Sequence, residues 1–187
     1  MAKKKSKSKG LDISFIVNLL VIVLGVLALC TLFMPVFRID NVGEALDFSI
    51  KGADVISGAF AGEASKDMTA GAMEIYLLRD AESTGFITNV FAYGYIILLL
   101  LACASVVFGV LRLLNMKFKK VNVLIGGLLA LLAVIVFIFA IVLSSKYASN
   151  HTVLGNVISK AVMHIGVYIL ITTIIGGLSQ VYVSTRK

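Results

Sequence analysis

Charge is what this chain has least of: 14% of its residues are Asp, Glu, Lys or Arg, against roughly a quarter in soluble domains. Tryptophan is absent, proline occurs once, and there are two cysteines and two histidines. Each scarcity closes a route. Quinone-linked thiol oxidoreductases need cysteine pairs near one membrane face. Here Cys30 and Cys103 fall at depths more than about 10 Å apart if both segments are helical, which forbids a disulfide. Both read as buried small apolar residues. One loop histidine, His151, and one in an apolar run, His164, supply neither a metal cluster nor a nucleophile with its base. No catalytic residue, metal ligand or cofactor is expected, and the chain reads as a non-enzyme.

Apolar residues fill the space that charge vacates. They make up 59% of the 187 residues, with a mean hydropathy of +1.02, more than one small core can bury. Four runs contain no Asp, Glu, Lys or Arg: Ile13–Met34, Val90–Leu111, Val121–Leu143 and Val162–Val183. About 20 helical residues cross a hydrocarbon core of about 30 Å, and open strands there would leave backbone groups unpaired. The fold class is therefore an all-α membrane protein, a four-transmembrane-helix bundle. Pro35 fits the stop of the first helix, and Asn89 is placed to cap the second. The first run is too long for a signal peptide, and Leu29 spoils the lipoprotein-like box before Cys30. It reads as an uncleaved span.

The division of the chain follows: a basic tail (1–12), spans at 13–34, 90–111, 121–143 and 162–183, a long loop (35–89), a connector (112–120), a short loop (144–161) and an end (184–187). Basic residues set the orientation. Eleven lie in the tail, the connector and the end, against six in the two loops. By the positive-inside rule both termini are cytoplasmic, in a plasma membrane. Lys3, Lys4, Lys5, Lys7 and Lys9 precede a span, so they read as a topology signal or a contact for anionic lipid rather than for nucleic acid.

The long loop faces outward and holds nine of the ten acidic residues against four basic ones, a net charge of −5. Such a surface attracts cations or basic partners. Val36–Ile39 and Phe48–Ile50 suit a short strand pair with Asn41-Val42-Gly43 near the turn. Gly52–Phe60 and Met68–Ala81 have helical spacing, and Ser83-Thr84-Gly85 breaks the pattern. A small folded cap is expected.

Inside the spans, small residues mark where backbones can approach. Gly126, Ala130, Ala133 and Ala140 form one stripe, while Ser105 with Gly109 and Thr173 with Gly177 are small pairs four residues apart. Packing within the bundle is the expected use. Asn18 and Gln180 lie at matching depth, so a hydrogen bond between the first and fourth helices is expected. His164, near the outer end of the fourth run, is read as structural and satisfied by interfacial water. Thr172 and Thr173 can bond back to their own helix. The triplet Asn150-His151-Thr152 matches a glycosylation sequon, a pattern that arises often by chance.

The layout, with four spans, inward ends and strands in a long loop after the first span, resembles the claudin-type tetraspans over the whole chain. That family's outer-loop tryptophans and cysteine pair are missing, so paracellular adhesion is not carried over. The lysine tail and plain aliphatic spans are similar to four-span proteins of bacterial plasma membranes. A coupled transporter or a small multidrug carrier would need an ionisable group inside the membrane, and the four runs offer only His164. Two functions remain: a scaffold or accessory subunit contacting protein or lipid through the cap, and a small transport component, either an oligomeric pore or a transporter's accessory subunit. Membrane lipids, a membrane-protein partner or further copies of the chain are the expected contacts.

The orientation makes a prediction. In a chain cleared of Cys30 and Cys103, Ser57→Cys should react with an impermeant thiol reagent on intact cells and Ser6→Cys should not. Labelling of Ser6→Cys would overturn the assignment.

Overall fold

The computed structural model describes residues 13–41, 47–114, 116, 118–150, 152–153, 156–157 and 159–185. The five tail lysines, the turn residues Val42 and Gly43, Lys117, His151, Arg186 and Lys187 lie outside them.

The chain is mostly helical, with four helices long and apolar enough to cross a membrane and a small three-stranded sheet. Helix α1 (Ile13–Cys30) leads into strands β1 (Pro35–Asn41) and β2 (Phe48–Lys51). Helices α2 (Gly52–Phe60) and α3 (Ala70–Asp80) follow, then the long helices α4 (Gly85–Leu113) and α5 (Lys119–Asn150). The two-residue strands β3 (Thr152–Val153) and β4 (Asn156–Val157), strand β5 (Ser159–Met163) and helix α6 (Ile165–Thr185) complete the order. The long helices form a square in which α1 and α5 occupy opposite corners, each packed on both α4 and α6.

The ends of the helices depart from the hydropathy runs, each for a local reason. Helix α1 stops at Cys30 rather than Met34, because Thr31 to Met34 tighten into turns whose amides reach back three residues. Pro35 therefore opens a strand rather than ending a helix. Helix α4 begins at Gly85, one turn before Val90, so Asn89 lies within it and caps nothing. Gly85 is required there: a Cβ would sit 2.5 Å from the carbonyl oxygen of Arg79. Helix α5 continues past Leu143 to Asn150, and Val162 with Met163 belongs to β5 rather than to the fourth helix. The expected short loop at 144–161 is thus largely helix end and strand.

The sheet has the order β2-β1-β5, all antiparallel. The strand pair expected within the long loop is present, and a third strand from the second loop completes it. Arg38 stands opposite Ser49 on one side and Val162 on the other. The register shifts between Pro35 and Phe37, a bulge that lets both Val36 and Phe37 turn inward. Phe37 and Ile39 of β1, Ile50 of β2, Val55 of α2 and Ile75 of α3 are each at most 1% exposed. Phe37 meets Phe91 of α4 with ring centroids 5.3 Å apart, so the sheet rests directly on the bundle. Burying each such side chain away from water stabilises by about 1.5–3 kcal/mol.

Between the long helices apolar burial drives little if lipid surrounds them, and close packing takes over. A Cβ on Gly126 would lie 2.6 Å from the Gly177 carbonyl oxygen, and one on Gly177 would lie 2.9 Å from the Ala130 amide nitrogen. Helices α5 and α6 therefore touch backbone to backbone. Between α1 and α4 the glycines receive side chains instead: Gly25 takes Val106, and Gly109 takes Ile22.

Candidate functional site

Two regions hold polar side chains in defined geometry. One lies among the long helices, toward the end opposite the sheet. The other is the cap.

Within the bundle, Ser105 of α4 donates its hydroxyl to Oε1 of Gln180 of α6 at 2.7 Å, which links opposite corners of the square. Gln180 donates Nε2 to Oδ1 of Asn122 of α5 at 3.1 Å. Asn18 of α1 donates Nδ2 to the carbonyl of Gly109 at 2.9 Å. All four side chains are buried. The expected bond between Asn18 and Gln180 is not formed. Each turns instead to α4, and Gln180 also takes α5, because α4 presents Ser105 and an accessible carbonyl at that depth. One turn nearer the helix ends, Arg112 donates to Oγ of Ser184 at 2.9 Å and to the carbonyl of Val183. A cation there faces the negative end of α6.

The small residues fall into this frame. Ser105 and Gly109 line the contacts of α4 with Gln180 and α1. Gly126, Ala130 and Gly177 make the α5–α6 contact, while Ala133 and Ala140 are fully buried in the central core. Thr173 is buried and donates to Leu170, and Thr172 donates to Ile169. The sequence reading missed Asn122. It lies four residues before Gly126 on the same stripe, a spacing that would have added it. The tail lysines Lys3, Lys4, Lys5, Lys7 and Lys9 lie outside the described residues.

Two expectations need correction. Cys30 is half-buried and Cys103 is exposed on the outer face of α4, so neither is a buried core residue. The exposed face of α4 repeats through Ile97, Leu100, Val107 and Val110, and Cys103 falls on it. His164 precedes α6 rather than lying within the fourth helix. Its amide donates to Val36 and its carbonyl accepts from Val167, while Nδ1 is buried with no protein partner among the described residues.

In the cap, Asp54 of α2 is a buried organiser. Its carboxylate accepts from the Lys51 amide at 2.7 Å and the Thr69 hydroxyl at 2.6 Å, and Thr69 in turn caps α3 by accepting from Ala72. Arg79 of α3 donates to the carbonyls of Gly58 and Ala59, closing the C-terminal end of α2. On the surface Arg38 pairs with Asp47 and Asp40. The Asn41 amide and then the Arg38 guanidinium hold the Asp47 carboxyl below its usual range. The hydrogen bond to Asp47 raises Arg38 in return. Ser57, Glu63, Asp67 and Thr69 line a cleft between α2 and α3.

Among the described residues no three His, Cys, Asp or Glu side chains converge as metal ligands would. No family model matches the sequence, and no curated protein or solved structure matches it either.

The Gln180 network yields a prediction. Gln180→Leu removes a donor and an acceptor from a buried cluster, and should lower stability against SDS unfolding in mild detergent by about 1 kcal/mol. In a double-mutant cycle with Asn122→Ala the two losses should not add. Full additivity would show that the pair makes no energetic link.

Proposed function

We propose that this is a non-catalytic multi-pass protein of a plasma membrane, bacterial by the style of its sequence, which binds another membrane protein or lipid through its cap. The cap faces outward and both termini face the cytoplasm. One observation carries the reading: the cap is a built platform. Its sheet draws on both loops, its helices are tied through Asp54 and Arg79, and its polar surface is acidic. A segment serving only to connect two spans has no need of such a core.

The bundle supports the same reading from the other side. Asn18, Ser105, Asn122 and Gln180 are each hydrogen-bonded within it, and Leu98, Ala102, Ala133, Val136, Ala140 and Leu170 fill its centre with no exposed surface. Conduction needs a polar or wettable path, so this packing disfavours a pore through a single chain. The transport reading therefore requires an oligomeric pore or an accessory role.

Purification in mild detergent tests the proposal. A stable hetero-complex is expected, and Glu63→Lys with Asp67→Lys at the cap cleft should release the partner while leaving the chain folded. A pure homo-oligomer that conducts ions in liposomes would replace the scaffold with a pore.

A further inference from the structure

Among the described helices, α2 is the most sharply two-sided. Gly52, Asp54, Val55, Gly58 and Ala59 are buried, while Ala53, Ser57 and Phe60 are exposed and Ile56 is half-buried among them. Ala53, Ile56 and Phe60 recur at i, i+3 and i+7, one apolar stripe of a helix, with Ser57 at its edge on the side of the cap cleft. Phe60, at the end of the helix, is 66% exposed.

The position of α2 explains that exposure. Its first residue, Gly52, packs against the Tyr95 hydroxyl and the Thr31 carbonyl. Its last, Phe60, lies edge-on to Tyr93 with ring centroids 6.0 Å apart, and the Tyr93 hydroxyl donates to Ala59 at 3.3 Å. Both ends of α2 thus touch α4 at nearly one level, so α2 lies across the bundle rather than along it. Tyr93 and Tyr95 are nineteen and seventeen residues from Arg112, the charged residue near the other end of α4. At 1.5 Å per residue that is about 26–29 Å, close to the roughly 30 Å of a hydrocarbon core. A tyrosine at that height, with its ring outward, is where an aromatic belt forms.

We infer that α2 is an interfacial helix lying in the membrane plane, with Ala53, Ile56 and Phe60 seated on lipid at the boundary between headgroups and acyl chains. The inference rests on the membrane reading and adds a lipid-bound floor to the cap. The occupant of the stripe is the bilayer, because the stripe is continuous through Tyr93 with the exposed apolar face of α4 formed by Ile97, Leu100 and Val107. Lys51, exposed at the start of α2, can extend its ammonium toward phosphate while its stem follows the apolar surface. The cap is thereby held at a fixed height and tilt above the membrane.

The absence of tryptophan makes the test direct. Phe60→Trp and Leu100→Trp each give the full chain a single indole, read in phosphatidylcholine vesicles whose acyl chains are brominated near the carbonyl or near the methyl end. The F60W indole should lose most of its emission to the shallow bromines and little to the deep ones. L100W should show the reverse, and Ile56→Trp serves as a second reporter for α2. Unquenched F60W and I56W beside quenched L100W would place α2 above the bilayer and overturn the inference alone. An L100W that neither lipid quenches would overturn the membrane reading beneath it.

Discussion

Strand β1 is hydrogen-bonded along both edges, and the rest of the cap is arranged around that fact. One neighbour, β2, comes from the same loop; the other, β5, comes from the segment before α6. The bond from Ser159 to Asn41 joins residues 118 apart in sequence. Because β1 follows α1 by a few residues and β5 precedes α6 by fewer, the pairing also fixes the ends of those two helices against each other. His164, whose amide donates to Val36, is the hinge between sheet and helix. Removing the β1–β5 ladder would leave two independent loops and free strand edges, an arrangement that invites mispairing.

Below the sheet the helices are held by a different balance. If lipid surrounds them, moving an aliphatic side chain from lipid to the bundle interior gains little, so contact distance and hydrogen bonding decide the arrangement. Glycines at 25, 109, 126 and 177 set the distance, and the Ser105–Gln180–Asn122 chain selects the register by joining three helices near one end. At the other end Thr31 bonds Tyr95 at 2.8 Å, and Gly52 fits against the same hydroxyl. The bundle is thus tied at both ends by polar contacts and filled between them by small and aliphatic residues.

Much of this was legible in the residues. The four helices follow from runs free of charge, and α2 begins and ends where the spacing of Val55, Ile56, Ala59 and Phe60 places it. The β1–β2 pair was legible from short branched and aromatic segments around a turn. Strand β5 was not, because Val162 and Met163 continue the hydropathy of α6 and only a partner strand distinguishes them. The start of α4 was hidden because Gly85 looks like a breaker, whereas it is needed for close approach to Arg79. Hydropathy marked Asn18 and Gln180 as polar residues at one depth. Which atoms they would meet depended on helix order around the square, and that is a tertiary property.

The central claim is that the two loops form one sheet through β1 and β5. Disulfide trapping in a background without Cys30 and Cys103 tests it most directly. Arg38→Cys with Val162→Cys pairs two exposed positions that face each other across the strands. Mild oxidation in membranes should cross-link this pair rapidly within one chain, and a mismatched pair, Arg38→Cys with Lys66→Cys, should stay reduced. Equal rates for the two pairs, or no cross-link in the first, would contradict the account.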